Sequence, residues 1–165
     1  MNSFLNTCPT INFFGYMPNG TIVDSCELTN KNGVQLKVIT FGASITSLKI
    51  PLKNGSFIDV VLGFDTLEAY LNSFNINSAP YFGATVGRFA GRINNSTFRL
   101  NGKSIDLNNN NNGHSLHGGN FGFSQKIWEV KNISDGSNPS ITLTYFSPNN
   151  DFDFNVVIRS ILYNS

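Results

Sequence analysis

A chain of 165 residues suits one domain with a real core, and 40% hydrophobic content with fifteen Phe supplies the material for it. Charged residues are only 13% and the net charge is +1, so neither nucleic acid nor an acidic membrane surface would meet a basic field, and the composition is not that of a disordered chain. No apolar run approaches the roughly 20 residues that cross a bilayer.

In chain order, the stretch from Met1 to Tyr16 has no basic residue and no sustained apolar run. It does not read as a secretory signal, and residues 1–11 are expected to form a flexible leader to a single domain spanning residues 1–165. Cys8 and Cys26 do not make a disulfide framework, which fits a reducing, cytoplasmic setting. Asn19-Gly20-Thr21 and Asn54-Gly55-Ser56 match the glycosylation triplet, but carry little weight in so Asn-rich a chain.

From Thr21 onward, short β-prone runs alternate with Asn-Gly turns. Strands are expected at Thr21–Thr29, Val34–Phe41, Ile45–Pro51, Phe57–Leu62, Thr97–Leu100, Lys103–Leu107, Lys126–Ile133, Ser140–Phe146 and Asp153–Leu162. Asn32-Gly33, Asn54-Gly55 and Asn101-Gly102 sit between pairs of these, as in type I′ hairpins, where both central residues need positive φ. One segment departs from the pattern. Leu67, Tyr70, Leu71 and Phe74 fall on one helical face, and Asp65 with Glu68 resembles a capping box, so Thr66–Asn72 is expected to be a short helix. The five consecutive Asn at 108–112 are expected to be a mobile surface loop. The absence of a βαβ rhythm points to an all-β, antiparallel fold. The strand at the C-terminus has nothing after it to cover it, which reads as a sandwich incomplete at its C-terminal side.

Chemistry concentrates in two places. His114 and His117 are the only histidines; they lack a nearby third ligand for a metal, and no nucleophile elbow accompanies them. Gly118-Gly119 frees the backbone to aim His117, and Phe121, Phe123 and Trp128 follow, either as a platform for a sugar's C–H face or as ordinary core. The second place is Pro80–Ile93, where Gly83, Gly87 and Gly91 would let backbones approach closely. Arg88 and Arg92 lie four apart there and must either pair within the fold or serve a ligand.

Together these segments resemble the aldose 1-epimerase (galactose mutarotase) family. The likeness is carried by Phe41-Gly42-Ala43-Ser44-Ile45-Thr46-Ser47-Leu48, Asp59 to Tyr70, Pro80 to Ile93, Asn101-Gly102-Lys103, and Ser115-Leu116-His117-Gly118-Gly119 with Gly122-Phe123 and Trp128. It implies a large antiparallel β-sandwich, the mutarotase-like supersandwich, and interconversion of the α- and β-anomers of free hexoses such as galactose and glucose. The implied mechanism is acid–base ring opening without metal or cofactor: a Glu takes the anomeric proton and a His protonates the ring oxygen. By position, Arg92 and His117 match the family's substrate contacts. Where the family often has Asn before that Arg, this chain has Gly91. The resemblance puts the general-acid His and general-base Glu beyond Ser165, so no catalytic residue is expected here. The alternative is a non-catalytic carbohydrate-binding remnant of the same fold. The expected partner is a small aldose, not nucleic acid or membrane, with self-association through exposed sheet edges.

Overall fold

The computed structural model describes residues 9–76, 79–148 and, for the backbone alone, 154–161. Its first half is a meander. β1 (Thr10–Tyr16), β2 (Ile22–Thr29), β3 (Gln35–Ile39), β4 (Ser44–Pro51) and β5 (Phe57–Asp59) lie side by side in chain order, each antiparallel to the next. A second sheet of three antiparallel strands is formed by β10 (Glu129–Ser134), β11 (Ser140–Ser147) and β12 (Phe154–Ile161). Between the sheets in sequence come α1 (Leu67–Ser73) and two small ladders. One pairs β6 (Arg92–Ile93) with β9 (Ser115–Leu116), the other β7 (Thr97–Leu100) with β8 (Lys103–Asp106). The fold is thus the expected antiparallel β-sandwich with one short α-helix among the described residues.

Strand β1 was not expected. Residues 1–8 of the anticipated leader lie outside the described residues, but Thr10 and Ile11 are already strand, opposite Glu27 and Cys26. The signal lay in the triplet Asn19-Gly20-Thr21, which is a turn. Met17 N donates to Thr21 O (2.8 Å) and Gly20 N to Met17 O (2.8 Å), with Gly20 at φ +83°. The same pair of bonds closes the loops at Asn30–Val34 and Leu52–Ser56, with positive φ at Gly33 and Gly55. These are three-residue hairpin loops, a type I turn followed by a left-handed glycine, which need positive φ at one residue only. Of the three turns expected to be type I′, Asn101-Gly102, with φ +49° and +79°, has positive φ at both central residues. In the second loop the Asn30 side chain accepts from Asn32 N and Val34 N, both at 3.0 Å, which accounts for an asparagine buried there.

The five-stranded sheet is covered along one face of β2 and β3 and on the other face only at one end, by α1, hence the incomplete alternation of their sequences. On one face Cys26, Leu28, Leu36 and Val38 pack with Ile141 and Leu143 of β11, around Trp128 and Phe123. Trp128 is buried, its indole N–H donates to Phe123 O (3.2 Å), and its ring stands edge-on to Phe123 at 6.0 Å. On the other face Val23, Ile39 and Phe41 meet Leu67 and Tyr70 of α1. The helix follows its apolar spacing but is capped by Thr66, not Asp65: Thr66 Oγ1 accepts from Ala69 N (3.3 Å). It approaches β1 at Gly15, where any side chain would meet Leu67.

Cys26 is a free, buried thiol, and burial followed by the charge of Asp24 pushes its pKa up to about 11. It therefore stays protonated at neutral pH. No helix among the described residues is long and apolar enough to cross a membrane.

Candidate functional site

The segment at 80–93 has almost no regular structure, yet its backbone is tightly held. Gly83 O accepts from Ile45 N (3.0 Å), Thr85 N donates to Gly42 O (2.9 Å), and Gly87 O accepts from Phe123 N (3.0 Å). A Cβ on Gly83 would collide with the Ile45 carbonyl, and one on Gly87 with the Phe123 ring, so these two glycines do allow close approach. Gly91 serves differently. A Cβ there would meet nothing within 4 Å, and what the position requires is φ +72°.

That turn delivers Arg92 into β6, directly opposite Leu116 of β9. The next residue, His117, is tied back by two bonds: its N–H donates to Gly91 O (3.1 Å), and Gly91 N donates to its Nδ1 (3.2 Å). His117, Gly118 and Gly119 all have positive φ, at +50°, +89° and +81°. Gly118 lies so close to the Gly87 carbonyl that no Cβ fits. The ladder therefore brings the two expected substrate-binding residues, Arg92 and His117, to one corner. Because Nδ1 accepts from a backbone N–H, the neutral imidazole carries its proton on Nε2. The Tyr81 ring stands against the imidazole at 4.9 Å, and burial pushes the Tyr81 phenol above its ordinary pKa.

The run of five asparagines is a scaffold. Asn110 clamps Leu116 from both sides, Oδ1 accepting from its N–H (2.7 Å) and Nδ2 donating to its carbonyl (3.0 Å). Asn109 Oδ1 accepts from Gly113 N (3.0 Å), and Asn111 Oδ1 accepts from Arg92 Nε (2.8 Å). Asn112 supplies a left-handed turn residue at φ +49°. Asparagine performs all these tasks because its short amide can imitate a backbone partner and because it tolerates left-handed φ. A loop expected to be mobile thus carries specific side-chain bonds at Asn109, Asn110 and Asn111.

Arg88, Arg92 and the two histidines each have a distinct place. Arg88 Nη2 donates to the carbonyls of Ser147 (3.2 Å) and Pro148 (2.8 Å), tying this segment to the end of β11. His114 Nδ1 accepts from Asn95 N (3.2 Å), and its backbone bridges Asn111. The side chains of Arg92 and His117 are, among the described residues, bound at their inner nitrogens, Nε and Nδ1. Among the described residues, no hydrogen bond occupies either Nη of Arg92 or Nε2 of His117. Arg92 is exposed and His117 half-buried, so their remaining N–H groups are donors without a partner among the described residues.

The aromatic residues after His117 divide otherwise than a sugar platform would need. Phe123 and Trp128 are core, and Phe121 is exposed beneath Lys126 Nζ, 5.7 Å above its ring. The ring beside the histidine is Tyr81, which the sequence reading did not single out; nor did it single out Asn110 and Asn111. A cavity of about 460 Å³ is lined in part by Tyr81, Phe74, Asn110, Asn111 and Gln125, but by neither Arg92 nor His117. A larger one of about 870 Å³ lies over β2–β5, away from this corner, where Lys37 pairs with Glu27 at 3.1 Å. Among the described residues, no three metal-ligating side chains converge.

Comparison with known proteins adds to this geometry. The family model described as Aldose 1-epimerase matches residues 24–162. The chain is 42% identical to galactose mutarotase from Bos taurus over 124 residues, covering 74% of this chain and 34% of that protein. It is 32% identical to aldose 1-epimerase from Escherichia coli K12, covering 72% of this chain and 33% of that one. It thus spans about a third of the length of these curated relatives. The crystal structure of a GalM/aldose epimerase homologue from C. elegans superposes with a TM-score of 0.69 at 31% identity, over 91% of this chain and 41% of that chain. That of galactose 1-epimerase from Lactobacillus acidophilus NCFM shares the fold, with a TM-score of 0.77 at 23% identity, over 94% of this chain and 45% of the other.

Proposed function

The chain belongs to the aldose 1-epimerase family, and from that premise we propose that the corner formed by Arg92 and His117 docks a free hexose for interconversion of its anomers. The observation that carries this reading is the pattern of bound and unbound nitrogens. Both side chains are anchored from behind, Arg92 by Asn111 and His117 by Gly91, while their outer N–H groups meet no partner among the described residues. Sugar hydroxyls and a ring oxygen are the acceptors that such donors suit. Arg92 would hold two hydroxyls in its planar fork, and His117 would donate from Nε2 near the ring oxygen.

Ring opening requires a base to remove the anomeric proton and an acid to protonate the ring oxygen, each contributing typically about 10²–10⁴-fold. After His117 this chain has no further histidine, and its single later glutamate, Glu129, is exposed in β10, part of the second sheet. We therefore assign these 165 residues the docking role, with both proton-transfer groups supplied by family positions beyond Ser165. Binding without turnover is then the behaviour of the chain on its own. The outer strands β1 and β5, which expose Ile11, Phe13, Phe57 and Ile58, favour association of copies through their edges. A cytoplasmic setting, expected from cysteine usage, belongs to the same proposal.

Two measurements on the purified chain test the reading. Titration with D-galactose should shift amide resonances at residues 91–92 and 116–118, and Arg92→Ala or His117→Ala should weaken the response. Polarimetry of freshly dissolved α-D-glucose should show no acceleration. An unresponsive 91–118 region would overturn the docking site. Acceleration that disappears in His117→Ala would overturn the division of labour.

A further inference from the structure

We propose that Asn111 is a positioning residue for Arg92, turning the end-on edge of the guanidinium outward to meet two adjacent hydroxyls of the sugar; this rests on the docking role given above to that corner. A guanidinium has five N–H donors in one plane, one on Nε and four on the two Nη atoms. It can meet a pair of acceptors either along its side, through Nε and one Nη, or end-on, through both Nη atoms. The Nε–H is committed to Asn111 Oδ1 at 2.8 Å, so the side edge is occupied and the end edge remains. A planar fork fixed at Nε has a defined direction, which a free arginine side chain lacks.

The acceptor is itself held firmly. Asn111 N donates to His114 O (3.0 Å) and His114 N donates to Asn111 O (2.9 Å), a closed two-bond bridge. Asn110, one residue earlier, grips Leu116 through both of its amide atoms, and Leu116 faces Arg92 across the β6–β9 ladder. The backbone of Arg92 and the amide that restrains its side chain are therefore parts of one hydrogen-bonded unit. Asn111 also borders the cavity of about 460 Å³. The arrangement restrains the arginine before any ligand arrives, so less conformational freedom remains to be lost on binding.

The experiment separates this inference from the sugar assignment. In the ¹⁵N-labelled 165-residue chain, the Arg92 Nε–H signal should be resolved and protected from solvent exchange. Asn111→Leu, which keeps the size but removes the acceptor, should reduce that protection and weaken D-galactose binding, each by about tenfold, the worth of one hydrogen bond. Asn111→Asp, which retains an acceptor oxygen, should restore both. Near-ultraviolet circular dichroism should be unchanged in either variant. Unaltered Nε–H protection in Asn111→Leu would overturn the positioning role. So would lost protection with galactose affinity intact. A protected Nε–H that responds to Asn111→Leu, in a wild-type chain that binds no sugar, would sustain the positioning of Arg92 and overturn the docking role instead.

Discussion

Two halves of this molecule are held together by different physics. The paired sheets, from β2 and β3 across Trp128 to β11, cohere through apolar burial, and few side-chain polar bonds are needed there. The corner carrying Arg92 and His117 has only two-residue strands. It is held by amide side chains that bond to backbone, by backbone bonds between loops, and by residues at positive φ. Burial is non-directional and tolerates many sequences, whereas hydrogen bonds are directional and aim groups at a point. The corner proposed to orient donors is accordingly made from the second kind of material and rests on the first.

The contrast predicts where substitutions act and how far the damage travels. The largest effect should come from Trp128→Ala, which empties the junction of the two sheets and leaves the Phe123 carbonyl without its indole donor. A loss of about 3–5 kcal/mol is expected, seen as a lower urea midpoint reported equally by probes in both sheets. Unequal losses in the two sheets would show that they are separate cooperative units.

Two glycines in the corner sharpen the comparison at intermediate size. Gly118→Ala places a Cβ against the Gly87 carbonyl at φ +89° and should cost about 1–3 kcal/mol. It should also release the His117 amide from protection against hydrogen exchange. Gly91→Asn meets open space, and Asn accepts left-handed φ, so stability should change by less than about 0.5 kcal/mol. Equal costs at the two positions would contradict the account of close approach given for Gly118.

The smallest effect concerns Asp59 at the outer edge of the first sheet. Burial opposes its ionisation. Hydrogen bonds from Ser47 Oγ, Leu48 N and Val61 N, with Lys49 nearby, outweigh that and hold the carboxyl below its ordinary pKa. A carboxylate whose pKa is lower when folded adds stability above the ordinary carboxylate range, and that stability fades as pH falls through the folded value. Asp59→Asn should thus lower the urea midpoint slightly at pH 6 and hardly at all near pH 2, by about 0.5 kcal/mol at most for so exposed a group. A penalty that persists unchanged in acid would assign the effect to something other than the charge.

Much of the fold was legible because its signals are local. Thr97–Leu100 and Lys103 onward are strand where alternation and Asn101-Gly102 predict them, and α1 follows the spacing of Leu67, Tyr70 and Leu71 within one residue. β1 escaped notice because Thr10–Tyr16 has no clean alternation and its turn looked like a glycosylation triplet. The family motif picked out Arg92 and His117. Their supports, Asn110, Asn111 and Tyr81, were not singled out, since a run of identical amides gives no indication of which one meets which partner.

By itself, then, the order of residues determined the strands that alternate, the turns that need glycine, the helical stripe and the family to which they belong. Each of these depends on contacts within a few positions along the chain. Only the tertiary structure decided that Arg88 and His114 bond to distant backbone while, among the described residues, the Arg92 Nη and His117 Nε2 atoms meet no hydrogen-bond partner. The four differ in what lies opposite them across the loops, and a hydrogen bond between residues 91 and 117, or 92 and 111, exists only once distant segments have been brought together.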